Sequence, residues 1–131
     1  MKVDLEKIKK LPPDIRKNFM TLYLQHNEKK QINKIHSDFI SFVKHVWPDF
    51  IEGPHHKKIA EKFNRMAKGE LKRLIINMPP RHTKSEFASY LLPAWMIGQK
   101  PKLKIIQTTH NTELAVRFGR KAKTLIDSQE Y

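Results

Sequence analysis

The sequence predicts an α/β fold: the start of a parallel sheet with its helices, preceded by a helical, basic amino-terminal segment. Two observations predict it. From Leu74 onward, short apolar runs alternate with helical patterns in the order strand, helix, strand, helix, the grammar of an α/β sheet protein. Before Leu74 the apolar residues recur only at helical spacing.

Taken in order, Pro13 suits a first helical position, and Ile15, Phe19, Leu22 and Tyr23 then share a face. The stretch HNEKKQINK has no apolar stripe and reads as a linker or turn. Ser37 is a fair N-cap for a second helix with Phe39, Phe42, Val43 and Val46 on its inner side, closed by Trp47-Pro48. A third helix opens at Gly53-Pro54, buries Ile59, Phe63, Met66 and Ala67, and stops at Gly69 in the left-handed conformation. Leu74 to Met78 reads as a buried strand, because the run is short, apolar and β-branched. A loop follows, then a helix over FASYLLPAWMIG, which Pro93 is placed to kink. Leu103 to Thr109 is a second strand. Asn111 then caps a last helix with Glu113 in its first turn and Leu114, Phe118, Ala122, Leu125 and Ile126 as its stripe.

The totals narrow the class. The chain has 131 residues, enough for one ordinary domain, and 39% hydrophobic residues, enough for a core. Twenty-six Lys and Arg against thirteen Asp and Glu give a net charge of +13. Such an excess repels itself and points to an anionic partner, nucleic acid first. There are no cysteines, which excludes disulfides, thiolate metal sites and a thiol nucleophile. The charged start is no secretory signal, and no apolar run approaches the roughly 20 residues that span a bilayer. An intracellular protein is expected. The seven histidines show no ligand-like spacing.

The chemistry lies between the first strand and its helix, in Pro79-Pro80-Arg81-His82-Thr83-Lys84-Ser85-Glu86. A strand entering a loop that ends Lys-Ser and opens a helix is the layout of a phosphate-binding loop. Inward-turned backbone N–H groups form an anion nest and the helix start adds partial positive charge. A lysine reaches the β- and γ-phosphates, and a small hydroxyl ligates Mg²⁺. Lys84 and Ser85 meet these last two needs. The generic pattern G-x-x-x-x-G-K-[ST] is not met in full: Met78 and Thr83 stand at its glycine positions.

The run Leu71 to Glu86 resembles the Walker A region of phage terminase large subunits, whose deviant loop reads P-P-R-H-G-K-S or P-P-R-H-T-K-S-E. Phe42 to Pro48 with Glu52 to His56, and Lys104 to His110 with Glu113-Leu114-Ala115 and Phe118 to Lys121, resemble the flanking blocks of the same family in the same order. The resemblance covers about residues 37–131. It implies an incomplete P-loop NTPase domain of ASCE type over 37–131, after a basic helical segment over 1–36. It also implies an ATPase, joined in the family to a metal-dependent nuclease, that drives double-stranded DNA into a capsid. By position, Lys84 would hold the β- and γ-phosphates, Ser85 would ligate Mg²⁺ and Arg81 would sense the γ-phosphate. Pro80, His82, Thr83 and Glu86 complete the ATP-binding loop, with the amides of His82, Thr83 and Lys84 as the cradle. His55 or His56, with Trp47 and Pro48, would line the adenine pocket.

A portal protein, a small terminase subunit and a ring of copies are the implied partners, in the host cytoplasm during virion assembly. An acidic Walker B strand and the nuclease aspartates are not visible after Lys84, so this chain by itself is expected not to turn over ATP. Two other readings use the same residues. One is a basic nucleic-acid-binding module in which Lys84-Ser85 merely starts a helix; the other is a helicase-like P-loop ATPase. In the latter, Thr108-Thr109-His110 would touch DNA phosphates. Arg117, Arg120, Lys121 and Lys123 form a basic face on the last helix, open to DNA or simply solvated.

Overall fold

A computed structural model describes residues 12–128 and 131. Contacts divide the chain into two units, Met1–Asn33 and Lys34–Tyr131. In the first, the described residues lie almost wholly in α1 (Pro13–Ser37), whose last turn belongs to the second unit. The helix runs straight through HNEKKQINK, which was expected to be a linker or turn. That stretch holds no Gly or Pro and is rich in Lys, Glu and Gln, so propensity carries the helix without an apolar stripe. None of its side chains is buried; Ile15 and Leu22 are exposed, and Phe19 stacks on Tyr23 one turn away.

The second unit is built from α2 (Phe39–Val46), α3 (Pro54–Ala67), α4 (Lys84–Glu86), a π-helical turn (Phe87–Leu91), α5 (Leu92–Gln99) and α6 (Thr112–Ile126). Its core sits where α2, α3 and the π turn meet. Phe39 is fully buried and meets Phe63, Phe87 and Trp95 edge to face, with ring centroids 5.0, 5.3 and 5.4 Å away. Such geometry adds to the area each ring buries.

The N-cap of α2 is Asp38, not Ser37, which ends α1. The Asp38 carboxylate accepts from the Ser41 N–H and hydroxyl, and its other oxygen accepts from the Asn64 amide of α3. Asn64 in turn accepts from the Phe39 N–H at 2.8 Å. One carboxylate therefore fastens the start of α2 to α3. The free carbonyls at helix ends are met by side chains: Trp95 Nε1 donates to Ile35 O, Gln99 Nε2 to His36 O and Lys100 Nζ to Ala67 O. Gly69, at φ 82°, closes α3 with Gly69 N–H bonded to Met66 O and Glu70 N–H to Arg65 O, the paired bonds of a Schellman end.

The expected parallel sheet is absent: among the described residues there is no strand, and the fold is all-helical. Residues 74–78 and 103–109, read from sequence as strands, run without regular secondary structure and form no ladder with each other. The physical reason lies in their faces. Leu74, Ile76 and Met78 are half-buried while Ile75 is 86% exposed; in the other segment Ile106 is 91% exposed. Apolar runs with one wet side and no hydrogen-bonded neighbour do not make a buried parallel sheet. The incomplete P-loop NTPase sheet expected over 37–131 is corrected accordingly.

The segment from Lys84 to Gln99 is helical throughout but changes pitch. Leu92 N–H bonds to Phe87 O, a wide i→i+5 turn, directly before Pro93, which has no N–H to offer. The turn buries Phe87 and Leu91 while Glu86 and Lys84 stay at the surface end.

Candidate phosphate-binding loop

The loop between residue 79 and α4 contains the only non-glycine residues with positive φ among those described, Arg81 at 63° and Thr83 at 58°. Left-handed backbone costs an ordinary residue about 1–2 kcal/mol, and a β-branched one is a marked outlier. Thr83 sits at the place where the generic loop has glycine, and it adopts the conformation glycine would supply. It stands as N-cap of α4, at φ 58° and ψ 7°, so a left-handed residue is followed directly by right-handed Lys84. Alternating left- and right-handed residues turn successive N–H groups to one side, the backbone form of an anion nest.

Side chains hold this shape. His82 Nδ1–H donates to Pro80 O at 2.9 Å, and the Thr83 hydroxyl donates to His82 O at 2.6 Å. Lys84 reaches back so that Nζ donates to Met78 O at 3.3 Å. Arg81 and Ser85 are exposed, and Arg81 pairs with no carboxylate among the described residues. Glu86 does not face the loop unpaired: Lys121 of α6 donates to both its oxygens, at 2.8 and 2.9 Å, and lies 5.5 Å from the centre of the Tyr90 ring. Pro80, Arg81, His82, Thr83, Lys84, Ser85 and Glu86 are thus gathered at one helix start, with two unpaired cations and the nest.

Behind the loop lies His56, 6% exposed. Its Nδ1 accepts from the Gly53 N–H at 2.9 Å, the half of a capping box that remains when the N-cap is a glycine with no side chain. A backbone N–H can only donate, so the ring proton is on Nε2, and Nε2–H donates to Thr83 Oγ1 at 2.7 Å. The hydroxyl proton is then free for His82 O. Burial, then the neighbouring His55 and His82, hold the His56 pKa below its ordinary value, so the neutral ring is kept. Sequence reasoning missed this role. The His55 and His56 ring centroids are 3.8 Å apart, and His55 is 5.7 Å from His82. The signal available was a histidine three residues after Gly53, the capping-box position.

Of the residues expected at an adenine pocket, His56 has both ring nitrogens bonded, to Gly53 and Thr83, and Trp47 packs on Phe50 at 5.5 Å. The Thr109 hydroxyl donates to Asn111 O, and Asn111 caps α6 through Leu114 N–H at 2.8 Å. That end of the segment is a helix cap. A cavity of about 790 Å³ lies along α6, between Tyr90 and Arg117, Arg120 and Thr124. Among the described residues, no three His, Cys, Asp or Glu side chains group to hold a metal ion, and no helix is long and apolar enough to cross a membrane. No protein-family model, curated protein or solved structure matches the chain.

Proposed function

We propose that the loop binds the phosphates of ATP with Mg²⁺, and that the chain is the nucleotide-binding part of a viral DNA-packaging ATPase of the terminase large-subunit kind. The observation that carries this reading is the left-handed pair Arg81 and Thr83 leading into Lys84-Ser85 at a helix start. Lys84 would leave Met78 O for the β- and γ-phosphates, a short reach for a side chain already folded over the loop. Arg81, exposed and unpaired, would meet the γ-phosphate, and the exposed Ser85 hydroxyl would ligate Mg²⁺. The bound Mg²⁺ supplies neutralisation of phosphate charge. The protein's excess of cations suits double-stranded DNA as the polymer acted on.

Titration calorimetry with MgATP tests the reading. Wild type binds, and Lys84→Ala weakens binding by about tenfold or more, the worth of a charge-assisted contact. Thermal melts of the two proteins should coincide, since Lys84 makes one peripheral bond. Binding that is absent, or indifferent to Lys84, refutes the proposal. The basic cavity along α6 favours a second reading, nucleic-acid binding without nucleotide chemistry. Under it, DNA affinity falls steeply with salt while MgATP gives no heat at all.

A further inference from the structure

We infer that His56 is a positioning residue for the phosphate-binding loop: its Nε2–H holds Thr83 in the left-handed conformation that makes the anion nest. The inference rests on the proposed reading of that loop. It starts from a mismatch. Thr83 is β-branched and sits where only glycine is at ease, so something must offset the backbone cost. Among the described residues, its one long-range side-chain hydrogen bond is the 2.7 Å bond from His56, twenty-seven positions earlier in the chain.

The bond is directional and relayed. Gly53 N–H fixes the tautomer, Nε2–H fixes the Thr83 oxygen, and the hydroxyl then points its proton at His82 O. Three donors act in sequence from the α3 cap to the loop carbonyl. His56 cannot swing away: it is packed against Phe50 and Phe87, with ring centroids 4.8 and 5.1 Å distant. The helix α3 therefore acts as a rigid post, and the threonine hydroxyl is the handle by which the loop is held. A glycine loop needs no such handle. His56 and the side chain at position 83 should then act as a pair: the histidine matters only while residue 83 has something to hold and a strained backbone to stabilise.

The experiment measures MgATP affinity of the full chain by calorimetry in a two-by-two set, with melting curves for each protein. His56→Phe keeps a buried ring but loses both bonds; His56→Gln can still accept from Gly53 and donate to Thr83. With Thr83 present, His56→Phe should lower affinity about tenfold and His56→Gln should recover most of it. Thr83→Gly sets the reference affinity of its own background, and adding His56→Phe to it should cost less than about twofold relative to that reference. An equal loss in both backgrounds makes His56 a general structural residue and overturns the inference. So does an unchanged affinity for His56→Phe in wild type. Wild type that does not bind MgATP overturns the function proposed for the loop and this inference with it; failure of the two-by-two set alone overturns only the latter.

Discussion

Removing the Asp38 carboxylate tests the joint that carries the second unit. In Asp38→Ala, α2 loses its N-cap bond to the Ser41 N–H, worth about 1 kcal/mol. The Asn64 amide loses its acceptor in a half-buried place, worth roughly 1 kcal/mol more. Asn64 is then less firmly set to accept from Phe39 N–H, so the sum is about 2 kcal/mol, or on the order of 10 °C in Tm. Asp38→Asn can still accept from Ser41 but turns an NH₂ toward the Asn64 NH₂, and should lose about half as much. Urea melts at pH 7 give these differences, and a double-mutant cycle with Asn64→Ala gives the coupling.

A pH series adds a second check. Burial raises the Asp38 pKa, but bonds from Ser41 and Asn64 outweigh it and leave the carboxyl below its ordinary 3.8. A depressed carboxyl stabilises the fold fully above the unfolded value and stops doing so as pH falls through the folded one. Wild type should therefore lose this part of its stability below about pH 4, and Asp38→Ala should show a flatter acid limb. A loss under about 0.5 kcal/mol for Asp38→Ala, or single losses that simply add, would refute the shared-carboxylate joint.

Phe39→Ala empties the point where Phe63, Phe87 and Trp95 converge and should cost about 3–5 kcal/mol in urea melts. Since Phe87 opens the π turn beyond the loop, near-ultraviolet circular dichroism should weaken as well. Gly69→Ala meets no atom within 4 Å, so only its backbone at φ 82° resists; the cost should be about 1 kcal/mol, read as a lower Tm with unchanged MgATP affinity.

The parts of the fold legible in sequence were those marked by local chemistry. Gly53-Pro54 and Gly69 bound α3, and Asn111 caps α6, because caps and stops depend on a few adjacent residues. Ser37 was read as the cap of α2, but the cap is Asp38, whose second oxygen reaches Asn64, a contact across twenty-six positions that no local pattern displays. The runs at Leu74–Met78 and Leu103–Thr109 failed for a different reason. A strand exists only with a partner, and apolar composition says nothing about whether a neighbour is there to take the hydrogen bonds. At the loop, residue types were readable while backbone angles were not. Threonine at position 83 argued against a left-handed turn, and only the distant His56 explains why it takes one.

Charge around the loop follows the same logic of local compensation. The chain's excess of cations would favour any anion weakly and everywhere, which is no basis for a site. A site needs the nearby carboxylates neutralised, since a free one a few ångströms from a phosphate repels it strongly in a half-buried setting. Glu86, next to Ser85, is held on both oxygens by Lys121. Glu52, which faces His56, is held by Lys44 with Lys57 close by, and the Lys44 bond keeps its carboxyl charged and below its ordinary pKa. Among the described residues, Arg81 and Lys84 have no such carboxylate partners. Among the described residues, the loop's own cations Arg81 and Lys84 thus meet no carboxylate while Glu86 and Glu52 are paired, so the local field is set by arrangement rather than by the total of +13.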